Sequence, residues 1–216
     1  MIKINNLHHY FDNIKVLNGI NLEINNGEIV SILGKSGAGK TTLLNLIGTL
    51  DDIQNGEIII NGRLINDLSL KELCKFRNEE IGFVFQFHNL LPEFTAIENI
   101  CLPAFIKGKS KKEAEKKAYE LLKKLELTSR AQHKPNQLSG GEKQRISICR
   151  ALINSPSFVL ADEPTGNLDS QNTEIIYKLF QQLNNEFGYT FVIITHNNNF
   201  ASIGNKKVLM QDGKII

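Results

Sequence analysis

The chain has 216 residues, of which 41% are apolar, enough to bury the core of one domain. Its 25 basic and 23 acidic residues are interspersed and leave a net charge of +2, so the composition does not favour nucleic acid or anionic lipid as a partner. The three cysteines lie far apart and no apolar run approaches about 18 residues, so disulfides, a zinc cluster and a membrane span are not expected.

Three apolar stretches near the N-terminus predict β-strands at residues 2–7, 21–24 and 29–33. The segments 16–19 and 25–27 have turn composition and are expected to connect these strands. Tyr10 lies within this region. Its ring is suited to stacking on a purine, although an aromatic residue in a β-layer more often belongs to the core.

The segment 34–41 fills every fixed position of the phosphate-binding pattern G-x-x-x-x-G-K-[S/T], between a predicted strand and a predicted helix. Its glycines let backbone N–H groups curl around a phosphate at the positive end of the helix. Lys40 is expected to reach the β- and γ-phosphates, and the Thr41 hydroxyl to ligate Mg²⁺. The alternative is a glycine-rich turn that opens a helix by chance. Nothing in the pattern specifies adenine as the nucleobase. The predicted nucleotide-binding residues in this region are Gly34, Lys35, Ser36, Gly37, Ala38, Gly39, Lys40, Thr41 and Thr42.

Beyond the first helix, residues 56–60 predict a strand that enters a tight turn at 61–62, and residues 66–77 predict a short helix. A buried strand is predicted at 81–86. It ends in Gln86, whose amide either caps the sheet edge or contacts a ligand, because ligand-binding groups cluster at strand ends in α/β folds.

The middle of the chain is predicted to be helical. Residues 95–98 and 110–113 both have capping-box spacing, and Pro92 and Pro103 are expected to delimit the helices. Lysines are frequent over 107–124, but glutamates alternate with them and apolar residues keep helical spacing. This pattern is typical of a solvated amphipathic helix rather than of a nucleic-acid surface.

The segment 138–145, LSGGEKQR, precedes a predicted helix at 146–153. Ser139 and Glu142 fit a capping box, so an ordinary helix start is one interpretation. The other is a second anion site, because two glycines after a serine expose N–H groups at a helix N-terminus. One nucleotide does not need two such sites from one chain, and the second site therefore indicates that two chains meet over the ligand.

An apolar strand at 157–161 ends on Asp162 and Glu163. A bend at the strand end would let the two acids take separate roles, with Asp162 holding Mg²⁺ and Glu163 orienting or deprotonating a water molecule. An ordinary acidic strand end is the alternative. A helix at 171–184 and a strand at 190–195 follow. The strand leads to His196. If this strand is the third in the same sheet to end at the site, His196 is expected to point towards the site.

These motifs, in this order, resemble those of the ATP-binding-cassette (ABC) ATPases along essentially the whole chain. The resemblance implies an α/β P-loop NTPase fold with an N-terminal antiparallel β layer and an inserted α-helical subdomain. A single domain, 1–216, would then have its RecA-like core and β layer in 1–86 and 157–216. The helical subdomain would occupy about 87–156. ATP and Mg²⁺ are the implied ligands.

Individual positions also match the family. Gln86 falls at the Q-loop, Asp162 and Glu163 end the Walker B strand, Asp169 lies in the D-loop, and His196 is similar to the switch histidine. The resemblance implies catalytic roles for Glu163, His196 and Gln86, Mg²⁺ ligation by Thr41, Gln86 and Asp162, and adenine stacking by Tyr10. It assigns the second anion site, which acts on the partner's ATP, to Leu138, Ser139, Gly140, Gly141 and Glu142. Asn197 stands where an acidic residue commonly follows the histidine.

Within the family, residues 85–99 and 161–169 look like the lipoprotein-releasing LolD subfamily, with MacB and FtsE cassettes closely similar. This resemblance implies that two copies of the chain sandwich two ATPs and bind integral membrane subunits of the LolC/LolE type. The chain would be peripheral at the cytoplasmic face of the inner membrane and would power lipoprotein release towards the outer membrane.

Other members of the family leave open alternatives. A MacB- or FtsE-like cassette would drive a different membrane partner. A DNA-repair ABC ATPase would carry a coiled coil or a zinc module, and a translation factor would carry two cassettes; this sequence shows none of these features. Nucleic acid is therefore not expected as a partner.

Overall fold

A computed structural model describes residues 1–196, 201 and 204–216, and Asn197 lies outside the described residues. The described strands are β1 (Ile2–Phe11), β2 (Ile14–Ile24), β3 (Ile29–Leu33), β4 (Asn55–Ile60), β5 (Arg63–Leu64), β6 (Ile81–Phe85), β7 (Phe158–Asp162), β8 (Thr190–Ile194), β9 (Lys206–Gln211) and β10 (Lys214–Ile215). The described α-helices are α1 (Lys40–Ile47), α2 (Leu70–Glu80), α3 (Ala96–Ile106), α4 (Lys111–Lys124), α5 (Gly140–Leu152) and α6 (Ser170–Phe187).

The strands form two sheets. A four-stranded antiparallel sheet has the order β2-β1-β4-β5, and a six-stranded sheet has the order β10-β9-β3-β8-β7-β6. Within the larger sheet, β9, β3, β8, β7 and β6 pair in parallel, and only the edge strand β10 is antiparallel to its neighbour. The predicted α/β fold with an N-terminal antiparallel layer is confirmed.

Alternate residues of the central strands face two hydrophobic clusters, as the period of two in a strand requires. Val159 and Ala161 pack on the side of α3 to α6, whereas Phe158 and Leu160 pack with α1 and the antiparallel sheet. After β6 the chain leaves the large sheet, forms α3, α4 and α5, and re-enters the sheet at β7. None of the described helices is both long and apolar enough to cross a bilayer.

Capping boxes position the starts of four of the described α-helices. At Ser69, Thr95, Ser110 and Ser139, the side chain accepts a backbone N–H from the glutamate three residues later, and that glutamate accepts the N–H of the cap residue. The two boxes predicted at the starts of α3 and α4 are confirmed, as is the box at the start of α5.

The turn predicted at 16–19 is wrong, because these residues lie inside β2. The chain reverses at residues 12–13, where Phe11 pairs with Ile14. Gly19 has a φ of 73° and stands opposite a shift in register between β1 and β2. Its turn-like conformation therefore produces an irregularity within the strand rather than the end of the strand.

Several helix boundaries also differ from prediction. The helix predicted at 146–153 spans Gly140–Leu152, and the helix predicted at 171–184 spans Ser170–Phe187. The predicted helix at 66–77 begins instead at Leu70, because Ser69 caps it and residues 65–67 form a separate 3₁₀ turn. Pro103 does not delimit α3 but lies inside it. The helix continues for less than one further turn, in which the Lys107 N–H donates to the Pro103 carbonyl at 3.1 Å. Proline removes one N–H within a helix, so at this position α3 lacks the hydrogen bond that residue 103 would donate to residue 99.

Candidate active site

Four neighbouring parallel strands end at the same level of the large sheet. Ile32 of β3 pairs with Ile194 of β8, Ile194 pairs with Asp162 of β7, and Asp162 pairs with Phe85 of β6. The residues that follow these strands are therefore brought to one edge, where α/β folds bind their ligands. This register unites motifs that are up to about 160 residues apart in the chain.

A cavity of about 580 Å³ opens at this edge. Most of the predicted nucleotide and catalytic residues line it, together with Val16 and Ile194, which were not predicted to do so. Its lining comprises Val16, Gly34, Ser36, Gly37, Gly39, Lys40, Thr41, Thr42, Gln86, Asp162, Glu163, Ile194 and His196. Among the described residues, Tyr10, Lys35, Ala38 and Asp169 do not line the cavity, and neither does the segment 138–142.

The start of α1 is suited to an anion. Gly39 precedes the helix with a φ of 92°, and an added Cβ would lie 2.9 Å from the Val16 carbonyl oxygen. Only glycine allows both this conformation and this close approach. Side chains cap the other described α-helices, whereas no side chain caps α1. Its first N–H groups therefore remain available to a ligand at the positive end of the helix dipole.

Lys40 folds back across the loop that precedes it. Its Nζ donates hydrogen bonds to the carbonyl oxygens of Gly34 and Lys35, each at 2.9 Å. These contacts hold the ammonium group inside the arc of the loop, beside the uncapped N–H groups. A phosphate in the arc would meet both a positive charge and several N–H donors.

Thr41 and Asp162 bring two oxygen ligands together. The Thr41 hydroxyl donates to Asp162 Oδ2 at 3.4 Å. Burial raises the pKa of Asp162, and the nearby charge of Glu163 raises it further, while Thr41 and Lys40 act in the opposite direction. A hard cation fits this position, because it takes oxygen ligands and would compensate the buried carboxylate. In the described part of the chain, no group of three or more His, Cys, Asp or Glu could hold a metal by itself. A cation here would therefore depend partly on ligand or water oxygens.

Glu163 turns away from Asp162 at the end of β7. Its φ of 45° is unusual for a residue with a side chain, and its N–H donates to the Ile194 carbonyl at 3.0 Å. Glu163 Oε2 lies 2.9 Å from His196 Nδ1. Because an ionised carboxylate only accepts hydrogen bonds, this contact places the imidazole hydrogen on Nδ1. The bend thus gives the two neighbouring acids different partners.

Gln86 links the end of β6 to the loop after β7. Its Nε2 donates to Asn167 Oδ1, and Asn167 Nδ2 donates to the Gln86 carbonyl, both at 3.3 Å. A Cβ on Gly166 would lie 2.7 Å from Gln86 Nε2. The absence of a side chain at Gly166 therefore lets Gln86 occupy this place beside the cavity.

The segment 138–142, which was predicted as the second anion site, lies outside the cavity, at the N-terminus of α5. Ser139 and Gly140 are exposed, while Leu138 and Gly141 are buried. Asp169 caps α6, where its Oδ1 accepts the Asn172 N–H at 2.7 Å. Two helix N-termini therefore lie on the surface of the chain instead of facing the cavity of the same chain.

Val16, which was expected in a turn, lines the cavity, whereas Tyr10, which was expected to stack on adenine, does not. Tyr10 pairs with Lys15 in the β1–β2 hairpin, and the Lys15 ammonium lies 5.6 Å from the centre of its ring. Val16 instead reaches the cavity, because β2 passes beside Gly39. The β-rich pattern predicted this layer. The proximity of Val16 to the phosphate loop, however, depends on how the layer packs on the large sheet.

Known proteins resemble this chain over its full length. A family model described as ABC transporter matches residues 17–166. The lipoprotein-releasing system ATP-binding protein LolD of Bacteroides thetaiotaomicron is 55% identical over 215 residues, which cover 100% of this chain and 99% of that protein. The dimeric structure of MJ0796, a bacterial ABC transporter cassette, matches with a TM-score of 0.91 and 47% identity. A dimeric post-hydrolysis state of MJ0796 bound to ADP and Pi matches with a TM-score of 0.90 and 46% identity. Both matches cover 100% of this chain and 96% of the other.

Proposed function

This chain belongs to the ABC transporter family, and we propose that it is the ATP-hydrolysing subunit of a complex that releases lipoproteins from a membrane. The observation that carries the proposal is the 55% identity to a LolD protein along the entire chain. The cavity at the four strand ends supports it, because the residues that line this cavity are those that phosphoryl transfer requires.

The phosphate loop and α1 bind ATP in this proposal. Gly37 and Gly39 shape the loop, the uncapped N–H groups of α1 face the phosphates, and Lys40 contributes the positive charge. Tyr10 stacks on the adenine, and Val16 contacts the nucleotide from the neighbouring strand. Stacking by Tyr10 requires its ring to be accessible beside the cavity, and its ring is only partly buried in the hairpin.

Mg²⁺ is held by Thr41, Asp162 and Gln86, which provide hydroxyl, carboxylate and amide oxygens along the cavity wall. When bound, the ion neutralises charge on the phosphates. Glu163 lies beside this group and accepts a proton from the attacking water. His196 orients the Glu163 carboxylate through the 2.9 Å contact and thereby keeps the base in place.

Two copies of the chain form two composite sites, each shared between the two chains. Ser139 and Gly140 lie on the surface, and in a head-to-tail dimer they complete the site of the partner together with the buried Gly141, with Leu138, Glu142 and Asp169 supporting the interface. The dimeric MJ0796 structures have the same fold and support this arrangement. We assign residues 1–86 and 157–216 to the core and about 87–156 to a helical subdomain that moves when the dimer opens.

The remaining partners are integral membrane subunits of the LolC/LolE type, with the chain peripheral at the cytoplasmic face of the inner membrane. This assignment rests on the similarity of the chain to the lipoprotein-releasing system protein LolD. A MacB- or FtsE-like role would involve the same ATPase chemistry but a different membrane protein.

Depletion of the chain in its native cells tests the proposal. We expect a radiolabelled lipoprotein to accumulate in the inner-membrane fraction, and the parent chain but not a Lys40→Ala variant to restore its release. The tagged parent chain should also co-purify with integral membrane proteins from solubilised membranes. Normal lipoprotein release after depletion, or recovery with a DNA-repair complex and no membrane protein, would contradict the proposal.

A further inference from the structure

Two of the β-hairpins close with turns of the same kind in different surroundings. Asn61 and Gly62 join β4 to β5 with φ angles of 51° and 79°, and Asp212 and Gly213 join β9 to β10 with φ angles of 48° and 73°. Both turns therefore have the left-handed pair of residues that a type I′ hairpin requires. Gly62 is exposed, and an added Cβ would have no atom of the described residues within 4 Å, whereas Gly213 is buried.

The buried turn lies against the phosphate loop. Strand β9 is the parallel neighbour of β3, so the turn after β9 projects at the same edge of the sheet as the loop after β3. The Gly213 N–H donates to the Ala38 carbonyl at 3.3 Å. A Cβ on Gly34 would lie 2.3 Å from the Met210 carbonyl oxygen. The hairpin therefore contacts the phosphate loop at two positions.

The same turn also contacts β2. The Asn18 N–H donates to the Gly213 carbonyl at 2.8 Å. A Cβ on Gly213 would lie 2.3 Å from the Val16 carbonyl oxygen, and a Cβ on Gly39 would lie 2.9 Å from that same oxygen. The backbone of Val16 thus packs against two glycines, one in the turn and one in the phosphate loop. Because the atoms in contact belong to the backbone, a side chain on Gly213 requires the chain to move.

We propose that Gly213 is a positioning residue for ATP, because its lack of a side chain lets the β9–β10 turn hold β2 and the phosphate loop at the spacing that the nucleotide requires. Among the described residues, Val16 and most of the phosphate loop line the cavity, and Gly213 does not. A side chain on Gly213 would displace Val16 or move the turn away from Ala38, and either movement changes the shape of the cavity. The inference rests on the proposed function, because it takes ATP as the ligand.

The test compares Gly213→Ala with Gly62→Ala in the full chain. Both substitutions place a methyl group on a turn residue with positive φ, so they carry similar backbone strain. Only Gly213→Ala also forces the methyl group against the backbone of a neighbouring strand. Isothermal titration calorimetry should give a Kd for ATP with Mg²⁺ that rises about 10-fold in Gly213→Ala and stays within about twofold of the parent in Gly62→Ala.

Hydrolysis kinetics separate positioning from partial unfolding. In Gly213→Ala, the KM for ATP should rise about 10-fold while kcat changes by less than about threefold, because Glu163 and His196 follow other strands. A smaller folded fraction would instead lower the apparent kcat and leave KM unchanged.

Two further measurements identify the cause. Asparagine tolerates positive φ better than alanine but has the same Cβ, so Gly213→Asn should bind ATP as weakly as Gly213→Ala. Hydrogen exchange in the parent chain requires no substitution and applies even if neither variant folds. ATP with Mg²⁺ should slow exchange of the Gly213 and Asn18 amides, because ligand binding stabilises the segments that pack against the site.

Several results would overturn the inference while leaving the proposed function intact. These are parental ATP affinity in Gly213→Ala or Gly213→Asn, an equal loss of affinity in Gly62→Ala, a fall in kcat at constant KM, and exchange of the Gly213 and Asn18 amides that ATP does not alter. If the parent chain itself does not bind ATP, the proposed function falls, and the role of Gly213 falls with it.

Discussion

Asp162 and Glu163 show how one residue step can separate two functions. The strand ends at Asp162, which is half-buried beside Thr41, and the left-handed φ of Glu163 directs the next carboxylate to His196. A non-glycine residue in this conformation costs on the order of 1–3 kcal/mol. We infer that the chain tolerates this strain because the conformation of Glu163 places the proposed base beside the proposed metal ligand Asp162.

Glu163→Gln removes the proposed base but retains the size of the side chain. We expect ATP hydrolysis to fall by about 10²–10⁴-fold while ATP binding persists, because proton transfer is lost and the phosphate loop is untouched. Phosphate release and nucleotide binding by the purified chain measure the two properties. Glu186→Gln, an exposed position on α6, is the control and should hydrolyse ATP like the parent. Near-parental turnover of the Glu163→Gln variant would remove Glu163 from the role of base.

Asp162 gives a pH-dependent prediction. The pKa of Asp162 is raised in the folded chain, so ionisation of this carboxyl group destabilises the folded state. The destabilisation is fully present above the folded-state pKa and absent below the unfolded-state pKa, about 3.9. Asp162→Asn without Mg²⁺ or nucleotide should therefore unfold at a higher temperature than the parent at pH 7. Each kcal/mol recovered raises the Tm of a chain of this size by about 2–4 °C.

Calorimetry at several pH values checks this expectation. The difference in Tm between Asp162→Asn and the parent should shrink as the pH falls towards 4. An equal difference at all pH values would mean that the buried charge is not its cause. The same variant should lose the Mg²⁺-dependent increase in ATP affinity, because an amide is a weaker ligand for a hard cation.

At the scale of elements, side chains of two helices, α5 and α3, form hydrogen bonds with the backbone of the loop between β6 and α3. Arg150 of α5 donates to the carbonyls of His88 and Asn89 at 2.7 and 2.6 Å, and both of these residues have positive φ. At the other end of the loop, the side chain of Asn99 in α3 accepts the Leu91 N–H and donates to the Leu91 carbonyl. Because Gln86 begins this loop, we expect movement of α3 or α5 to alter the position of Gln86 beside the cavity.

Asn99→Leu keeps the branching of the side chain but removes its polar atoms, and it should destabilise the chain by roughly 2–3 kcal/mol, because buried polar groups of the loop lose their partners. The Asn99 amide also donates to the carbonyls of Phe94 and Thr95, and the side chain is fully buried. Urea unfolding measures the change. Asn185→Leu, an exposed change on α6, should stay within about 0.5 kcal/mol of the parent. Equal stability of the two variants would show that Asn99 does not hold the loop.

For the whole molecule, the central expectation is that each ATP site is shared between two chains. Ser139→Ala and Lys40→Ala should each inactivate both sites of a homodimer. In a mixed dimer, one site lacks both groups and the other is intact. The mixture should therefore recover up to about a quarter of the parental activity if chains pair at random. A mixture as inactive as its components would contradict the shared site. The Lys40→Ala variant alone provides the baseline ATPase activity.

Local sequence determined the helix starts and the chemistry of the motifs. Capping boxes at Thr95, Ser110 and Ser139 were predicted because they depend on residues three positions apart, and the phosphate loop was predicted because its glycines and Lys40 act within one turn. The turn at 16–19 was not correctly predicted, since whether Gly19 ends a strand or bulges within it depends on the pairing strand.

The tertiary structure alone decided which of these motifs meet. Strand order in a parallel sheet is a property of pairings between distant segments, and no local pattern encodes that β8 lies between β3 and β7. That order brings Gln86, Asp162 and His196 to the phosphate loop, places Val16 rather than Tyr10 in the lining of the cavity, and joins Arg130 to Glu142. The sequence by itself thus determined the chemical groups, and non-local packing decided the distances between them.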